Sequence, residues 1–129
     1  MSRISRVMLI LPYCTIIKSS LKRCFLPFGI AYIGGVLERS GEVEVSLLDA
    51  AVEGYYHERP DDERGEFITY GLTQEEVKQR IKEFSPDMVG VSCSLSSQIK
   101  NVCQICRGVK EVSQEIITVV GGLAVPWLS

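Results

Sequence analysis

What the chain lacks narrows its function first. Its 129 residues contain one histidine and one tryptophan. They carry no C-x-x-x-C-x-x-C cluster motif, no Walker phosphate loop and no G-x-G-x-x-G turn. Arg3 and Arg6 precede a short apolar run at 7–11, but a secretory signal needs a longer apolar core and a small-residue cleavage site. A membrane span needs roughly 20 apolar residues in succession, and no such run occurs. The expected location is therefore cytoplasmic. Excess positive charge is also missing: the formal net charge is −2, so neither nucleic acid nor an anionic membrane is an expected partner. Lys18, Lys22 and Arg23 cluster, but three charges in one loop read as a solvated loop. The five cysteines, an odd number in a chain read as cytoplasmic, argue against a disulfide framework.

What is present suits one globular domain spanning 1–129: hydrophobic residues make up 46% and charged residues 23% of the chain. Residues 6–11 are continuously apolar, as in a strand buried on both faces. A long loop is expected over 12–28. Ile30, Ile33, Gly34 and Leu37 then recur at helical spacing, and Ser40-Gly41 stops the helix. Gly34-Gly35 is unfavourable inside a helix and signals close packing of helix on sheet. A second strand is expected over 42–48, ending at Asp49. The acidic stretch 50–71 reads as a surface excursion, with Tyr55, Tyr56, Phe67 and Tyr70 as possible anchors. Thr73 and Glu76 form a capping box, followed by the apolar face Val77, Ile81 and Phe84 and a stop at Ser85-Pro86. Strands at 87–92 and 115–120 flank a helix whose apolar face is Ile99, Val102, Cys103, Cys106 and Val109.

Four strands alternate with three helices, the pattern of a parallel sheet with right-handed crossovers. The expected fold is a Rossmann-like (flavodoxin-like) three-layer α/β domain with strand order 2-1-3-4. A fifth strand normally completes such a domain. The expectation is truncation before it, with this chain the front of a longer protein, and an exposed sheet edge through which two copies could pair.

Open parallel sheets bind ligands at the carboxyl ends of their strands. Here those ends are the loop after Pro12, Asp49, the run Ser92-Cys-Ser-Leu-Ser-Ser97 and Gly121-Gly122. Glycine admits close approach and serine offers hydrogen bonds in little space, so Ser92, Ser94, Ser96, Gly121 and Gly122 describe a slot for a polar, nucleotide-like tail. The plain alternative is that the glycines form a turn and the serines cap the third helix. Cys103 and Cys106 have C-x-x-C spacing, but they fall mid-helix with no second pair and read as core cysteines. His57 lies in the acidic excursion and reads as a solvated loop residue. No catalytic residue and no protein metal ligand is expected.

Four blocks carry a resemblance: LPFGIAYIGGVL at 26–37, EVEVSLLD at 42–49, SPDMVGVS at 85–92 and VVGG at 119–122. In this order and spacing they resemble the cobalamin-binding domain that precedes many radical SAM domains, in the group of anaerobic magnesium-protoporphyrin monomethyl ester cyclases and cobalamin-dependent methylases. The resemblance covers about residues 6–126. It implies a corrinoid-binding module that positions cobalt for methyl transfer or redox chemistry completed elsewhere. The radical SAM domain, with its iron–sulfur cluster and S-adenosylmethionine, would be supplied in cis and not by this chain. It also implies that Ser92, Ser94, Ser96, Gly121 and Gly122 receive the cofactor's nucleotide tail. Other cobalamin carriers hold cobalt through the histidine of a D-x-H-x-x-G loop. With Gly29 matched to that glycine, Cys24 takes the aspartate position and Leu26 the histidine position. The resemblance thus implies base-off binding with Leu26 beneath cobalt and no protein histidine on the metal. Asp49 and Gly54 share the motif's outer spacing but follow the second strand, not the first. Two rivals remain: a flavin- or nucleotide-dependent oxidoreductase domain, with Asp49 reading a ribose, and a degenerate module that serves only in assembly.

Overall fold

The computed structural model describes residues 3–22 and 28–122. In chain order its elements are β1 (Arg6–Leu11), β2 (Cys14–Ile17), α1 (Phe28–Ser40), β3 (Glu44–Asp49), the single turn α2 (Ala50–Glu53), β4 (Glu58–Pro60), β5 (Phe67–Tyr70), α3 (Gln74–Phe84), β6 (Met88–Ser92), a 3-10 turn (Ser96–Gln98), α4 (Ile99–Val112) and β7 (Ile117–Gly121). The main sheet is parallel, in the order β3-β1-β6-β7, which is the expected 2-1-3-4 order. It is a Rossmann-like three-layer arrangement, with α1 on one face and α3 and α4 on the other.

β1 shows why its sequence is continuously apolar. Val7 and Leu9 pack with Ile30 on the α1 face, and Met8 and Ile10 join Val77, Ile81, Val102 and Val109 on the opposite face. Successive side chains of a strand point to opposite faces, so a strand covered on both must be apolar at every position. Each such side chain contributes roughly 1.5–3 kcal/mol when fully buried. Gly34 lets α1 approach β3, because a methyl group there would meet Leu47 Cδ2 at 3.0 Å. The same reason does not extend to Gly35, whose side-chain direction is open.

α3 begins with the expected capping box: Glu76 N donates to Thr73 Oγ1 (3.1 Å) and Thr73 N to Glu76 Oε1 (3.0 Å). It ends at Ser85, which adopts the left-handed conformation. Asp87 then ties two strand starts together, its carboxylate accepting from Ser5 N (2.8 Å), Ser5 Oγ (3.0 Å) and Arg6 N (2.9 Å). In α4 the buried stripe is Val102, Ile105 and Val109. Cys106 packs at its margin, and Cys103 is exposed. The expected core position of Cys103 is therefore corrected: it lies about 100° around the helix from Val102 and turns to solvent.

The stretches expected as a loop and a surface excursion hold a second sheet, antiparallel, in the order β2-β5-β4. Tyr70 is buried beneath it and meets Tyr55 edge to face at 5.8 Å. Tyr56 is 92% exposed and meets the Tyr55 ring edge to face at 5.2 Å. Lys22 is not solvated as expected. Its ammonium lies 4.0 Å from the Tyr55 ring centre and 5.1 Å from that of Tyr70, and it pairs with Glu58 at 2.7 Å. Among the described residues, no helix is long and apolar enough to cross a membrane.

Candidate functional site

On the α1 face of the sheet a groove of about 420 Å³ runs from Val7 and Met88, near the starts of β1 and β6, to the carboxyl ends of β6 and β7 at Ser92, Ser94, Gly121 and Gly122. Its floor is Leu9, Gly90 and Val119, and one wall is the apolar side of α1 at Ile30, Ile33 and Leu37. Ile33, half exposed, borders this groove instead of lying in the core. No lining residue carries a charge.

Strand alternation builds the polar end. Gly90, Ser92 and Ser94 share the groove side, while Val91 and Cys93 point into the core. Ser92 Oγ and Ser94 Oγ lie 3.4 Å apart. Cys93 N donates to Gly121 O at 2.7 Å, extending the pairing of β6 with β7 one residue past the strand. Burial raises the Cys93 thiol above its ordinary value, so it is a core group and not a reactive thiolate.

The glycines play distinct parts. At Gly90 a methyl would meet Leu9 Cδ2 at 2.9 Å, so a side chain there would displace the end of Leu9 and raise the floor. Gly122 has φ +120°, and a methyl on it would lie 2.5 Å from Cys93 O. At Gly121 nothing lies within 4 Å of the Cβ position, and the space above its backbone is open. Gly29, in the first turn of α1, brings a helix N-terminus to the same groove. Such ends favour anions.

Of the residues singled out from sequence, Gly29, Ser92, Ser94, Gly121 and Gly122 thus line one cavity. Ser96 opens the 3-10 turn beyond it, and its side chain is outside the described set. Leu26 and Cys24 also lie outside the described residues. Asp49 is elsewhere: β3 and β7 are the two ends of the sheet row, roughly 14 Å apart at the usual strand spacing. Its carboxylate accepts from Val52 N at 3.1 Å and caps α2. Burial raises its pKa. The plain alternative, serines capping α4, does not find a serine at the capping position. The capping position is Gln98, and its side chain makes no capping bond. Gly90, Ile30 and Val119 were missed from sequence. The period-two pattern of MVGVS at 88–92 could have revealed Gly90, since it shares a strand face with Ser92.

His57 belongs to the opposite side of the sheet. Its side chain is 53% exposed, and Nδ1 lies 3.9 Å from Glu76 Oε1 at the start of α3. Among the described residues, no group of three or more His, Cys, Asp or Glu side chains could hold a metal ion.

Comparison with known proteins adds a family. The B12 binding domain family matches residues 14–126. Cytidylyl-2-hydroxyethylphosphonate methyltransferase of Streptomyces wedmorensis is 39% identical over 120 residues, which is 93% of this chain and 22% of that protein. Anaerobic magnesium-protoporphyrin IX monomethyl ester cyclase of Rubrivivax gelatinosus is 27% identical over 97 residues, covering 75% of this chain and 14% of that protein. The chain therefore spans less than a quarter of the length of either relative. No solved structure matches.

Proposed function

Because this chain belongs to the B12 binding domain family, we propose that it binds cobalamin, with the nucleotide tail laid in the groove between α1 and the ends of β6 and β7. The observation that carries the proposal is the convergence of Gly29, Ser92, Ser94, Gly121 and Gly122 on one uncharged groove. The residues fit such a tail. Leu9, Ile30 and Val119 offer apolar surface to an aromatic base. Ser92 and Ser94 offer hydroxyls to its sugar. The first turn of α1 offers amide groups to its phosphate. The flat floor at Gly90 and the open space over Gly121 give the room. Asp49, at the far end of the sheet row, is a candidate only for the rim of the ring.

Bound cobalamin supplies a cobalt centre able to exchange a methyl group or electrons. The protein's part would be to hold the cofactor in place through the residues that line the groove. His57 is the sole histidine, and it lies 3.9 Å from Glu76 at the start of α3. We infer base-off binding without protein histidine, a reading supported by the sequence, in which Leu26 takes the histidine position of the carrier motif. We assign the chain to the cofactor-holding segment of a radical SAM protein. The methyltransferase and cyclase named among its relatives are whole-protein activities, and the catalytic chemistry would reside in cis outside this segment.

The test is uptake of hydroxocobalamin followed by desalting. The protein should retain the red corrinoid spectrum, and its divalent cobalt form should show no nitrogen hyperfine splitting in paramagnetic resonance. Gly121→Leu should fill the open space and weaken binding by about tenfold or more, equivalent to at least about 1.4 kcal/mol, with circular dichroism unchanged. A colourless wild-type protein would refute the proposal. A yellow flavin-loaded one would favour the oxidoreductase rival.

A further inference from the structure

The groove beside α1 is chemically uneven along its length. We infer that it selects corrinoids by their lower base, taking hydrocarbon-rich arenes such as dimethylbenzimidazole or cresol and discriminating against purines. The inference rests on the cobalamin reading above and adds the class of tail that the groove accepts.

The first observation is where hydrogen-bonding side chains stand. Ser92 and Ser94 carry the hydroxyls of the lining, and both belong to the carboxyl rim. Only residues 41–43 separate the end of α1 from the start of β3, which pairs with β1 at Arg6. Helix α1 therefore runs from the rim at Gly29 back toward the strand starts at Leu37. From Ser92 to Met88 the strand covers roughly 13 Å. Over that length the groove shows Leu9, Ile30, Ile33, Leu37 and Val7, with Met88 at its end. The Met88 thioether is a weak acceptor that makes favourable contacts with aromatic rings.

The second observation is that the backbone there is already committed. β1 pairs with β3 and β6, and β6 pairs with β1 and β7, so their peptide groups serve the sheet. The Leu37 carbonyl accepts from Ser40 Oγ at 2.6 Å. A base directed toward Met88 meets carbon.

The third is shape. Leu9, Gly90 and Val119 stand in one row across three adjacent strands. Gly90 is thus a dip between two side chains whose strands lie roughly 9.5 Å apart. A flat ring fits such a dip. Its methyl groups gain from burial beside Ile30 and Leu37. A purine's exocyclic amine and ring nitrogens would instead exchange water for hydrocarbon, with no partner to replace it.

Equilibrium titration with cobalamin, p-cresolylcobamide and adeninylcobamide tests the selectivity. The first two should each bind about tenfold or more tightly than the third. Cresol has no nitrogen to detach from cobalt and dimethylbenzimidazole has one, so a preference that both share reports the groove. Met88→Gln and Leu37→Gln place an amide at half-buried positions in the arene-facing part of the groove. Each should narrow the gap by about threefold or more, with circular dichroism unchanged. Adeninylcobamide bound within about tenfold of either arene-tailed corrinoid would overturn the selectivity and leave cobalamin binding standing. A gap that narrows in neither folded variant would overturn it too, because the discrimination would then arise outside this groove. If neither variant folds, the three wild-type affinities decide by the first criterion. Binding of no corrinoid by the wild-type chain would remove the cobalamin reading itself, and this inference with it.

Discussion

Asp87 shows how much one exposed side chain can organise. Hydrogen bonds from the Ser5 and Arg6 amides hold its carboxyl below the ordinary aspartate range. The unfolded chain therefore takes up this proton more readily than the folded one. The contribution to stability is complete above the unfolded value, about 4, and is lost as pH falls through the lower folded value. Asp49, raised by burial, acts in the opposite sense, while Asp61 and Glu76 are also held low. The wild-type acid slope is thus shared. Thermal melts of wild type and Asp87→Asn between pH 3 and 7 should differ most at neutral pH and converge as the solution becomes acid. The neighbouring glycines offer a second residue-scale test. Gly122→Ala forces a side chain into φ +120° and against Cys93 O, at a cost of about 1–3 kcal/mol. Gly121→Ala meets open space and should stay within about 0.5 kcal/mol of wild type. Denaturant titration measures both, and equal losses would refute the distinction.

Among elements, the second sheet was hidden from the sequence and the main strands were not. β1 and β6 declare themselves by apolar runs that only a covered strand would carry. β4 and β5 have three and four residues, too short to establish a period, and they lie in an acidic stretch. Distant partners hold them: Thr69 Oγ1 contacts Thr15 Oγ1 at 2.8 Å, and Lys100 pairs with Asp61, whose carboxylate also accepts from Thr69 Oγ1 at 2.8 Å. The Gln98 amide accepts from Thr15 N and donates to Thr15 O, each at 3.0 Å, and so closes the β2 edge. It is likewise invisible in sequence, because one polar residue before a helix reads as a cap. Gln98→Leu would strip partners from Thr15 N, Thr15 O and Asn101. It should cost roughly 1–3 kcal/mol, and hydrogen exchange of the Thr15 amide should quicken while the β1 amides stay protected. Equal protection of Thr15 in both proteins would show that Gln98 does not hold this edge.

For the whole molecule, the parallel order was legible because crossover helices leave few ways to connect four strands. The candidate groove was legible in part, for the same reason: strand ends on one rim can be named before they are seen, and Ser92, Ser94, Gly121 and Gly122, so named, line one cavity. The apolar wall from α1 could not be read, since it follows from no motif. The clamp at Asp87 also bears on how this chain comes to be built. Strand β1 is made before the other strands of the main sheet yet lies inside the row, and Arg6 is 81 residues from the Asp87 that anchors it. At 5–20 residues per second, synthesis must run for roughly 4–16 s after Arg6 before that anchor exists. During this interval the most apolar segment of the protein has no mate on one side. A nascent chain of this kind should draw on chaperone cover until β6 leaves the ribosome.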